Sequence, residues 1–202
     1  MDDMRSGWFI GLALLVPALL GAGAHNQPLN KVDGPQYTAD GRMLFPANYR
    51  EWIYLSSGLG MSYTAGAQKV LMFDNVFVSP GAYQKFLETG SWPDKTVLVL
   101  EVRGAGSKAS INKAGHFQTG DSMGVEVHVK DEGHFAGKWA FFGFEDGTSP
   151  AKQVPVQASC YSCHTEHGAV DTTFVQFYPT LIGIAKEKKT LSAGYLKESA
   201  AK

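Results

Sequence analysis

Gly124-Val125-Glu126-Val127-His128-Val129-Lys130 decides the architecture. Valine recurs at every second position with glutamate, histidine and lysine between, which is the two-residue period of a strand that is apolar on one face. The following aromatic stretch 138–144 reads as a second strand. Upstream, residues 70–78 and 96–102 are rich in β-branched and aromatic residues and bounded by proline and glycine, so they read as two more. Between these two, residues 80–88 form a short helix stopped by Gly90 and Pro93. Residues 49–55 are expected to be helical up to the glycines at 58 and 60, and residues 174–186 to be a terminal helix interrupted at Pro179. The fold class is α+β, a mostly antiparallel sheet flanked by helices, with a CxxCH segment near the C-terminus.

The chain has two cysteines, both in Cys160-Tyr161-Ser162-Cys163-His164. A disulfide closing so short a loop would restrict little of the unfolded chain, so the pair serves chemistry rather than stapling. CxxCH is the attachment pattern of haem c: two thiols one helical turn apart add to the vinyl groups of the macrocycle, and the next histidine ligates the iron. A redox dithiol would call for a thioredoxin-like βαβ setting, which the pattern lacks, and zinc would call for four ligands, with His167 as a strained fourth. One covalent haem per chain, held by Cys160, Cys163 and His164, is the expectation. For the other face of the iron the candidates are Met43, Met61, Met72 and Met123, with His116, His128, His134 and His167. None stands in a context that singles it out, and an open sixth position competes with all of them.

The N-terminus carries the other strong signal. An apolar stretch from Trp8 to Leu20 precedes Ala22-Gly23-Ala24, the pattern of a secretory signal peptide cleaved before His25. The stretch is too short to span a bilayer comfortably. The predicted organisation is a signal peptide at 1–24, a polar arm at 25–42, a haem domain at 43–190 and a charged tail at 191–202. Cleavage removes Asp2, Asp3 and Arg5, which leaves the exported chain electrically balanced. No basic stripe suits a nucleic acid, and no later apolar run suits a membrane.

The segment from Cys160 to Leu181, CYSCHTEHGAVDTTFVQFYPTL, resembles the carboxyl end of the cytochrome P-460 proteins. Phe45-Pro46-Ala47-Asn48-Tyr49-Arg50-Glu51-Trp52, the strand from Phe73 to Pro80, Gly124-Val125-Glu126-Val127 and Trp139-Ala140-Phe141-Phe142 are similar to the same family. The resemblance implies a mostly β fold, a homodimer and a five-coordinate haem with an open pocket facing the sheet, and the signal peptide implies a periplasmic location. It also implies two functional types. One oxidises hydroxylamine and nitric oxide through a lysine bonded to the haem edge, and the other, of the cytochrome c′-beta type, lacks that bond and binds nitric oxide and carbon monoxide. Where the family's lysine falls, this chain has Val99-Leu100-Glu101, so Lys108 and Lys113 in the following loop are the candidates left for a cross-link. Glu126 matches the pocket carboxylate that would accept a proton. Phe73 matches the aromatic residue that crowds the ligand, with Leu100 beside it. A third alternative is a simple electron carrier with methionine as sixth ligand, working with an unidentified redox partner.

Overall fold

The computed structural model describes residues 33–62, 70–145 and 147–201, apart from the side chain of Asp121. The predicted signal peptide, and the predicted arm up to residue 32, lie outside the described residues. Five strands, β1 (Ile53–Leu59), β2 (Met72–Val78), β3 (Val97–Gly106), β4 (Phe117–Lys130) and β5 (Trp139–Phe144), pair in chain order as one antiparallel sheet. Helix α1 (Pro80–Thr89) joins β2 to β3, and α2 (Ser159–His167), α3 (Ile182–Lys188) and α4 (Ala193–Ala200) follow the sheet. Among the described residues no helix is long and apolar enough to cross a membrane.

The α+β reading therefore matches, and the four predicted strands and α1 form where expected. Residues 49–55 correct the prediction of a helix. Only a single 3-10 turn, Tyr49–Glu51, forms before β1 begins at Ile53. In β1 Tyr54 is exposed and Leu55 buried, and Ile53 pairs with Val78, so cross-strand pairing to β2 overrides a helical pattern too short to stand alone. The predicted terminal helix splits into a 3-10 turn, Val175–Phe177, and α3. Residues expected as a charged tail form α4, capped by the Ser192 hydroxyl, which accepts the Tyr195 amide. At the other end, Tyr37 bridges Met43 in the backbone and stacks on His134 with ring centroids 4.4 Å apart, fastening the last part of the arm to the body.

Parity divides the sheet into two faces. Val97, Val99, Val125, Val127, Val129, Phe142 and Phe144 build one core with Met43, Tyr49 and Phe135. On the opposite face Val78 and Leu98 join a second core with Phe86, Trp92, Val175, Leu181 and Ala185, contributed by α1, α3 and the segments beside them. This second core fills only part of its face. Across the rest, the cross-strand rows Leu98–His128–Phe141 and Val76–Leu100–Glu126 look into open space beneath α2.

Candidate functional site

Beneath α2 lies a cavity of about 710 Å³, within the size range of cofactor sites. Its floor is the sheet: Met72, Asp74 and Val76 from β2, Leu98, Leu100 and Val102 from β3, and Glu126 and His128 from β4. Its roof is Cys160, Cys163 and His164 from α2, with Phe174, Phe177 and Tyr178 behind them. Both cysteines are free and partly exposed, and none of the residues of α2 is buried. The inward face of this helix is shared between the cavity and a few ring contacts, Tyr161 on Phe141 among them.

His164 is held in one tautomer. Its Nδ1 lies 2.7 Å from the main-chain carbonyl oxygen of Thr172, and because a carbonyl can only accept, Nδ1 carries the hydrogen and Nε2 keeps its lone pair. Burial holds the imidazole below the ordinary histidine range, partly offset by the Thr172 bond, so it is neutral and able to ligate a metal. Phe174 packs on the ring at 4.2 Å and Phe141 at 4.7 Å between centroids.

The candidates for a sixth ligand separate cleanly. Met43 is buried in the other core, Met123 and His116 are exposed away from the cavity, His134 stacks on Tyr37, and His167 Nδ1 lies 3.1 Å from Glu198. Met61, Met72 and His128 line the cavity. His128 touches His164 directly, with ring centroids 5.0 Å apart at 77°. Two imidazoles in such contact cannot hold an iron between them, since each metal–nitrogen bond takes about 2 Å.

The distal residues named from the sequence fare differently. Leu100 and Glu126 are on the cavity floor and are cross-strand partners. Phe73 is not: it alternates with Met72 and Asp74, which line the cavity, and so lies on the far face with Asn75 and Phe77. Lys108 and Lys113 are exposed in the β3–β4 hairpin and are not among the lining residues. Asp74 was not foreseen. Its carboxyl is pushed above the usual aspartate range by burial and, secondly, by the charge of Glu126. Its signal was present in the parity it shares with Met72 and Val76, but that parity becomes useful only once the cavity face is known.

Among the described residues no three His, Cys, Asp or Glu side chains converge as a cage for a bare metal ion. One free imidazole nitrogen and two thiols at the rim of an apolar cavity suit instead a metal that arrives in its own macrocycle. Comparison with known proteins agrees: the family model described as Cytochrome P460 matches residues 46–175. No curated protein matches the chain significantly.

Proposed function

The chain belongs to the Cytochrome P460 family, a family of haem-binding cytochromes, and on that premise we propose that it is an exported mono-haem cytochrome of the c type that binds or processes nitric oxide and related small nitrogen species at a five-coordinate iron. Cys160 and Cys163 would form the thioether bonds and His164 Nε2 would ligate the iron. The haem supplies an iron that binds small ligands and changes oxidation state. The chain supplies a fixed imidazole, an apolar wall of Val76, Leu100 and Val102 that disfavours water, and at the cavity floor Asp74, whose burial favours its protonated form.

The observation that carries this reading is the single oriented imidazole, His164, over a cavity whose other histidine, His128, packs against it. The test is the optical spectrum of the ferrous protein, purified from a host able to attach haem c, before and after nitric oxide. An ordinary high-spin spectrum that changes with nitric oxide supports it. A six-coordinate ferrous protein indifferent to nitric oxide and carbon monoxide overturns it and favours an electron carrier with Met61 or Met72 as ligand.

A second reading, oxidation of hydroxylamine or nitric oxide, draws on Glu126, which lines the cavity floor with Asp74 nearby and would serve as proton acceptor. The lysine–haem bond of that type finds no support in Lys108 or Lys113, which sit on an exposed hairpin. Mass spectrometry of the haem peptide tests it, since a second, lysine-containing peptide must remain attached. We further propose a periplasmic location, with the signal-peptide pattern as its support, a homodimer, with the resemblance as its support, and a separate electron-transfer partner.

A further inference from the structure

The loop that follows α2 is gripped at three consecutive residues by three side chains. Asp171 Oδ2 lies 3.5 Å from Lys130 Nζ, whose ammonium also donates to the Trp92 carbonyl at 2.8 Å. Thr173 Oγ1 accepts the Trp92 indole N–H at 2.7 Å. Between them, Thr172 Oγ1 lies 3.3 Å from His128 Nε2. Thr172 is the residue whose carbonyl takes the His164 Nδ1–H, so the whole arrangement converges on that one acceptor.

His128 reaches the same target twice. It holds the Thr172 hydroxyl, and its ring meets the His164 ring nearly at right angles. It is itself fixed from behind, stacked on Phe141 at 4.0 Å and 12° and packed on Trp139 at 4.4 Å. We propose that His128 is a positioning residue for the iron-ligating histidine: through the Thr172 hydroxyl and its contact with His164 it fixes the plane of that imidazole and the length of the Nδ1–H···O=C bond, and thereby sets the reduction potential of the centre. This rests on His164 being the iron ligand. A short hydrogen bond at Nδ1 makes Nε2 a stronger donor and favours oxidised iron, so loosening it raises the potential. Packing alone does not require a histidine here, because phenylalanine would fill the same stacked space without reaching the hydroxyl.

The experiment compares the holoprotein with His128→Phe, His128→Gln, Thr172→Val and His164→Ala, reading the reduction potential and the iron–histidine stretching band by resonance Raman. His128→Phe and Thr172→Val are expected to shift the oxidised-to-reduced ratio about tenfold toward reduced, some 59 mV for one electron, and to lower the stretching frequency together. His128→Gln, which restores a partner for Thr172, returns both toward wild type. Wild-type potential and frequency in His128→Phe, with or without a loss of thermal stability, overturn the proposal. Should His128→Phe fail to fold, Thr172→Val decides alone, the shift supporting the proposal and wild-type values overturning it. An iron–histidine band that persists in His164→Ala is a distinct failure, of the ligand assignment itself.

Discussion

Glu101 is a carboxylate 3% exposed on the sheet face away from the cavity. Burial alone would raise its pKa, but hydrogen bonds from Arg103, Tyr49 and Arg50 outweigh that and leave it at about 2. The Tyr49 hydroxyl donates at 2.6 Å and Arg103 at 2.8 and 2.9 Å, which ties the turn before β1 to β3. Because the folded value lies below the ordinary 4.5, this group's contribution is complete above that pH and is lost as pH falls toward 2. Glu101→Gln is expected to lower the unfolding free energy by about 2 kcal/mol at neutral pH, with the gap to wild type closing through that acid window in urea titrations. A gap that stays constant down to pH 2 would refute the assignment. Asp74 has the opposite sign: its folded pKa is raised, so the protonated form is favoured on folding and stability is lost as pH rises through the folded value. Asp74→Asn should therefore raise the melting temperature at pH 7 and leave it unchanged at pH 3. An unchanged melting temperature at pH 7 would show that Asp74 bears no penalty. The cost at a cavity floor is what a residue kept for chemistry rather than stability looks like.

At the level of elements, the approach of α2 to the loop at 171–173 depends on Gly168. A Cβ there would lie 2.6 Å from the His164 carbonyl oxygen, 2.9 Å from the Thr172 carbonyl carbon and 2.9 Å from the Thr173 nitrogen, all of them backbone. Gly168→Ala should cost about 1–3 kcal/mol as overpacking and lengthen the bond from His164 Nδ1 to Thr172, seen as a lowered iron–histidine frequency in the holoprotein. Wild-type stability and frequency in that variant would show that the loop yields without consequence. The sequence made β2 to β5 legible because a two-residue period survives in five residues, as in Val125 to Val129, and it made Cys160, Cys163 and His164 conspicuous because their spacing is that of a haem-attachment pattern. The turn at 49–51 and β1 were misread because a dense apolar run does not reveal its period at that length. Phe73 was placed by likeness rather than by parity, and the register puts its neighbours Met72 and Asp74 in the cavity instead. The pairing of His128 with Thr172 stayed invisible for a different reason: 44 positions separate them, and only the folded register of β4 against the loop joins them.

For the molecule as a whole, the strands are anchored in two cores while α2 contributes no buried side chain. Regions poor in buried contacts open at low cost, and a group that binds only the folded state raises that cost. Hydrogen exchange on the apoprotein is accordingly expected to be fast in Ser159–His167 and slow in the central residues of β3 and β4, with haem attachment protecting α2 far more than the strands. Equal protection of α2 and β3 in the apoprotein would rule this out. The chain-order meander has one more consequence. Since β2, β3 and β4 put alternate residues on opposite faces, positions 74, 76, 100, 102 and 126 can be exchanged as a set while their odd-numbered neighbours Phe77, Val99, Val125 and Val127 keep their places in the other core. The sheet thus works as a printed page with text on one side only, and a library confined to those five positions would rewrite ligand preference without touching the valine-rich core on the other side.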